Sequence, residues 1–224
     1  MPRAALPLRP VDNCGAGRVY IVYMTTPLDR ERILSEAGEL FVAHGPQGVT
    51  MRGLATRIGV TPMALYRYFE NREQVLRGVI EDGHSIFLSY LQQANAQPTP
   101  AGRLFEAGRQ YLAFALAHPR RYAVMFMEHI PNAPEHAECE HWIDAATFRF
   151  LVDRIRDCNE DGSLVAGDPK EAAFLVWGQV HGLVSLYLAG KLSMNQAEFE
   201  ALYLRSMGAI VRALGWRGPG GAAV

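Results

Sequence analysis

Between residues 50 and 77 the chain gathers side chains that can hold a polyanion. Thr50, Arg52, Thr61, Tyr66, Arg67, Tyr68 and Arg72 bring hydroxyl, phenol and guanidinium donors, while Pro62, Met63 and Ala64 bring small apolar contacts. Five arginines (52, 57, 67, 72 and 77) stand against two glutamates (70 and 73), so this stretch is locally basic although the whole chain carries a formal charge of −1. Such donors fit phosphate oxygens, which fix position and register, and a thioether or methyl group can meet a thymine methyl in the major groove. The chemistry on offer is non-covalent recognition of duplex DNA. No phosphate loop, nucleophile motif or pair of carboxylates in a plausible cleft is found, which leaves an all-α enzyme as the weaker alternative.

These side chains need a frame, and the spacing supplies one. Thr50 is a suitable N-cap for a helix over about 50–58, with Leu54, Ala55 and Ile58 on its inner face. Gly59 supplies a left-handed turn residue. Thr61 then caps a third helix and Pro62 takes its first position, where a missing N–H costs nothing. Leu65 and Phe69 are four apart and face inward, which turns Met63, Ala64, Tyr66, Arg67 and Tyr68 outward. Upstream, Ile33, Leu34, Ala37, Leu40 and Phe41 mark a helix over about 28–44 that Gly45 and Pro46 end. Asn71 caps a fourth helix reaching about residue 93, with Gln74 as its capping-box partner.

The residues Arg32, Ile33, Leu34, Ala37, Leu40, Phe41, Gly45, Thr50, Leu54, Ala55, Gly59, Val60, Leu65, Tyr66, Tyr68, Phe69, Asn71 and Glu73 resemble the TetR family of bacterial transcriptional regulators. The resemblance implies that the segment from Thr61 to Phe69 enters the major groove. It puts Tyr66 and Tyr68 on the family's L-Y-x-H/Y-F pattern and Arg72 where the family usually has a phosphate-binding lysine. It also makes Thr50 and Arg52 the start of a helix that touches the DNA backbone. Trp177, His181 and Gly182, with the run from His118 to Phe126, are similar to a W…HG-type C-terminal domain of that family. That likeness implies a helical effector-binding domain.

The remaining chain reads as all-α, with about nine helices in total. Residues 1–25 are expected to be a flexible arm, and Met24 is a second candidate start. Residues 26–82 are expected to be the DNA-binding unit and 83–224 an effector-binding and dimerisation unit. Helices are expected over about 101–117, through Tyr122 to Phe126, and over about 135–158, 170–190 and 196–214. Phe105, Tyr111, Phe114, Tyr122, Met125, Phe126, Phe148, Trp177, His181 and Tyr187 are the candidate pocket residues. Their aromatic and thioether groups, with a few polar tips, suit a small hydrophobic or aromatic effector. The apolar helix over 170–190, with Gly178 and Gly182 on one face, and the last helix, with Phe199, Leu202, Tyr203, Met207, Ile210 and Leu214, suggest a homodimer built on four helices. A two-fold dimer suits a palindromic operator with half-sites about 34–36 Å apart.

Three cysteines (14, 139 and 158) cannot build a disulfide framework, so a reducing cytoplasm is the default. The longest apolar segment, over 172–188, is interrupted by Gln179 and His181 and falls short of the roughly 20 residues a membrane span needs. His136, Cys139, Glu140 and His141 do not converge as a metal set by spacing alone, so neither metal nor cofactor is expected. A purely architectural DNA binder remains a further alternative, though it would not require the large aromatic C-terminal half.

Overall fold

The structure, a computed structural model, describes residues 27–127 and 146–218, and no strand occurs among them. Nine helices follow in order: α1 (Arg30–Gly48), α2 (Met51–Ile58), α3 (Pro62–Leu65), α4 (Arg72–Gln92), α5 (Pro100–Ala117), α6 (Pro119–Phe126), α7 (Ala146–Glu160), α8 (Pro169–Leu188) and α9 (Gln196–Ala213). A short 3-10 turn, Gln93–Ala96, extends α4. The expected arm, Cys14, and the stretch from His136 to His141 lie outside the described residues, as does the first part of the helix expected over 135–158.

Local chemistry explains most boundaries. Asp29 starts α1 by accepting the Arg32 N–H at 2.8 Å. The expected stop at Gly45 is real: its φ of 68° breaks the helix, and Pro46 begins one more turn. Thr50 Oγ1 accepts the Gly53 N–H at 3.0 Å and so caps α2. Gly59 ends α2 in the left-handed region, φ 80°, and its N–H returns to the Ala55 and Thr56 carbonyls. The free carbonyl of Ile58 is taken up by Arg32 at 3.3 Å.

Three details differ from expectation. The third helix is a single turn, Pro62–Leu65, rather than a rod to Phe69. Tyr68 N–H bonds to the Leu65 carbonyl three residues back, which tightens the chain there, while Phe69 N–H still reaches the same carbonyl at 3.0 Å. Thr61 occupies the N-cap position, but its side chain makes no capping bond. Gln74 Oε1 accepts from the Glu70 N–H at 2.9 Å, one residue before the reciprocal partner expected of it, although Asn71 does cap α4.

Two regions of core follow from these helices. Ile33, Phe41, Leu54, Ala55, Leu65, Phe69 and Val75 form the first, and Val124 of α6 enters it from the C-terminal side. Phe87, Leu91, Tyr111, Phe114, Val180 and Tyr203 belong to the second, which continues into a third cluster around Phe148, Ile155 and Val176. α4 runs unbroken across residue 82, with its first half in one core and its second half in the other. No helix among the described residues is long and apolar enough to cross a membrane.

The space beside Gly59 is open, since a Cβ there would meet nothing within 4 Å. Gly59→Ala therefore costs only backbone strain, roughly 1–2 kcal/mol for an alanine held in the left-handed region. Urea unfolding should show that loss with an unchanged dependence on denaturant.

Candidate nucleic-acid interface and ligand cavity

The first site is the outer face of α2, α3 and the turn after it. Leu65 and Phe69 are buried, and this burial holds the turn against the core. The opposite side carries Met63 at 74%, Tyr66 at 47% and Tyr68 at 37% exposure. Thr50, Arg52, Thr61, Pro62 and Arg67 are also exposed, and Ala64 is half-buried beside them. A contiguous apolar tip and polar flank thus stand in solvent.

The five arginines of the basic stretch are not equivalent. Arg57 is paired with Glu36 of α1 at 2.6 Å. Arg72 donates from Nε to the Val49 carbonyl at 2.6 Å and from its terminal nitrogen to Pro46, and it lies beside Glu73. It ties the N-terminus of α4 to the kinked end of α1 and the entry to α2. Arg77 has interactions of its own. Arg52 and Arg67 are exposed, and neither guanidinium engages another described residue. Tyr68 has an internal tie as well, since its phenol donates to the Leu28 carbonyl at 2.6 Å. Arg30 lies over the Phe69 ring, 4.4 Å from its centroid, and covers it from outside.

The second site is an apolar cavity of about 50 Å³ between α4, α5, α7, α8 and α9. Phe105, Tyr111, Phe126, Phe148 and Trp177 line it as expected. Phe114, Tyr122, Met125, His181 and Tyr187 do not. Phe114 is fully buried against Phe87. Met125 lies over Gly83, where a Cβ would come within 2.8 Å of its sulfur. Tyr187 stacks on Phe199 at 4.0 Å. Leu104, Val176, Val180, Met207 and Val211 complete much of the wall, and no motif distinguishes them from ordinary core.

Tyr122 and His181 form a polar floor behind the cavity. Tyr111 Oη lies 2.8 Å from Tyr122 Oη, and His181 Nδ1 lies 2.7 Å from Tyr122 Oη and 3.2 Å from Tyr111 Oη. Trp177 stacks on the His181 ring at 4.7 Å. Burial pushes the Tyr122 phenol up to about 12, and burial together with Tyr122 raises Tyr111 well above the usual phenol range. Burial also lowers His181, so the imidazole is held neutral. Cys158 is buried, and desolvation pushes its thiol up to about 11, which leaves it unreactive at neutral pH.

A third feature lies on α8. Leu175 is 55% and Leu186 46% exposed, and Phe174 is exposed beside them. A Cβ on Gly178 or Gly182, between them in sequence, would meet nothing within 4 Å. On α9, in contrast, Phe199, Tyr203 and Met207 turn into the chain's own core, and Leu202, Ile210 and Leu214 are only half-buried.

Comparison with known proteins places these features. Residues 33–79 match the model for bacterial regulatory proteins of the tetR family, and residues 104–210 match the tetracyclin repressor-like C-terminal domain. HTH-type transcriptional regulators of Mycobacterium bovis and Mycobacterium tuberculosis are 24% identical over 110 residues, covering 46% of this chain and 47% of each relative. The chain thus spans about half the length of the curated relatives it matches. In fold it is similar to a protein of unknown function from Rhodococcus sp. RHA1, with a TM-score of 0.72, 23% identity, and coverage of 87% of this chain and 99% of that one. It is also similar to the TetR family transcriptional regulator PfmR from Thermus thermophilus, with a TM-score of 0.60, 19% identity, and coverage of 82% and 98%.

The neutral His181 has a consequence for pH. Its folded pKa lies below the ordinary value of 6.5, so the unfolded chain binds the extra proton more readily. This contribution is fully present above pH 6.5 and is lost as pH falls toward and through the folded value. Urea midpoints measured from pH 8 to pH 5 should fall, and His181→Gln should flatten part of that fall while lowering stability at pH 8.

Proposed function

The chain belongs to the tetR family of bacterial regulatory proteins, and on that footing we propose that it is a sequence-specific DNA-binding transcriptional regulator. The observation that carries this reading is the exposed arc of Met63, Tyr66 and Arg67 above the buried pair Leu65 and Phe69. A one-turn helix with its first residues in solvent suits docking in the major groove, where the N-terminal end meets base edges. Met63, Ala64 and Pro62 offer methyl and thioether contacts, so preference follows thymine methyl groups and groove shape. Arg52 and Arg67, with no partner among the described residues, take phosphates or a guanine edge, and Thr50 and Tyr66 flank them. Thr61 adds its hydroxyl at the helix start. Arg72 and Tyr68 act chiefly by holding α4 and the segment before α1 in place, which presents the other groups in register.

The proposed regulator is a cytoplasmic repressor that works as a homodimer on a palindromic operator. The open face of α8 around Leu175 and Leu186, joined by the half-buried edge of α9, supports a two-fold contact between copies. A small hydrophobic effector in the cavity releases the DNA by binding better to a second arrangement of the reading heads.

Gel-shift titration with the DNA flanking the protein's own coding region tests the reading. Arg52→Ala and Arg67→Ala should each weaken binding to every sequence and reduce the slope of log affinity against log salt by about 1. Met63→Gln should instead reorder the preference among operator variants. Wild-type affinity and salt slope in both arginine variants would rule out this mode of docking.

A further inference from the structure

We infer that Met63 reads the C5-methyl group of a pyrimidine in the major groove, so that thymine and 5-methylcytosine offer it the same contact and methylation of a cytosine at that position strengthens binding. This deepens the DNA-binding reading of the same surface and rests on it.

α3 spans four residues, Pro62, Met63, Ala64 and Leu65. Leu65 is fully buried, which leaves the first three to meet a partner. None of their side chains carries a hydrogen-bond donor, and the Met63 thioether is only a weak acceptor. The backbone adds little, since Pro62 has no N–H and the Ala64 N–H is already bonded to the Thr61 carbonyl at 3.0 Å. A base edge opposite this turn therefore meets carbon and sulfur rather than donors and acceptors.

Exposure decides which of the three carries the contact. Met63 is 74% exposed, more than any other large hydrophobic side chain among the described residues. Ala64 is half-buried and has a single methyl group, and the Pro62 ring is held against its own backbone. Arg52 and Arg67, exposed in the same stretch, supply the attraction for phosphate that brings an apolar tip to a duplex.

Along the major groove the bases present donors and acceptors, and thymine alone adds an apolar feature, its C5 methyl group. Cytosine gains the same methyl group at the same ring carbon when it is methylated. The two pyrimidines still differ at C4, where thymine has an acceptor and cytosine a donor. A thioether bonds strongly to neither, and its unbranched, polarisable chain fits closely against a methyl group.

The test uses the full chain and the duplex it shifts from the DNA flanking its own coding region. Deoxyuridine replaces thymidine one position at a time, which removes one methyl group and leaves the base pairing unchanged. In the wild type, one thymine of each half-site should lose about 4-fold in affinity, the worth of one buried methyl group. Met63→Ala should abolish that loss and leave the other positions as they were. Met63→Leu, which keeps an apolar side chain of similar size, should retain it. With cytosine and then 5-methylcytosine at the same position, the methylated duplex should bind about 4-fold tighter in the wild type and Met63→Leu, but not in Met63→Ala. The salt slope, set by phosphate contacts, should be the same in all three proteins. A uridine loss that Met63→Ala leaves unchanged, no position sensitive to uridine, or 5-methylcytosine binding no better than cytosine would each overturn the assignment, while the shifted duplex preserves the regulator reading. No shift of any duplex overturns both.

Discussion

Val75, Leu76 and Val79 sit in the core beneath the exposed arc, and Phe87 and Leu91 sit in the core beside the cavity. All five ride on α4, whose helical hydrogen bonds run without a break from Arg72 to Gln92. From Val75 to Leu91 that helix spans about 24 Å at 1.5 Å per residue. Neither core can shift along it without disturbing the other, because close-packed interiors do not deform smoothly. α6 braces the same junction. Arg121 meets Asp82 at 2.9 Å, Arg120 reaches the Val42 carbonyl at 3.0 Å, and Val124 enters the first core. The two halves therefore share structure as well as a chain.

The Tyr111, Tyr122 and His181 cluster follows the same rule for buried groups. Each polar atom in it has a partner, so its burial is tolerated and its geometry is fixed. α5, α6 and α8 each contribute one member. Each member lies within hydrogen-bond distance of both others, so removing one takes a partner from each of the remaining two while they still meet each other.

Much of the segment from α2 to the start of α4 was legible because its signals are local. Thr50, Gly59, Pro62 and Asn71 each act within four residues of themselves, and each occupies the role its chemistry suggests. The length of α3 was less legible, since a pair at 65 and 69 fits a full helix or a turn that closes on the same carbonyl. Arg72 shows the limit more clearly. Its acceptors are Pro46 and Val49, more than twenty residues away, and no pattern near position 72 announces them. The cavity was half legible. Its aromatic members stand out by type, but Leu104, Val176, Val180 and Val211 have the side chains of any helical core. Phe199, Tyr203 and Met207 follow one helical face, and periodicity alone does not say whether that face meets its own chain or another.

Met63 stands at the tip of α3 with three-quarters of its surface in water. No core depends on it, so chemical change there leaves the fold alone. Peroxide converts an exposed thioether to a sulfoxide, which is polar and chiral and is reversed only by a dedicated reductase. The apolar end of the proposed DNA-facing surface is thus also its most oxidisable described point, and reducing handling preserves the side chain that faces outward first.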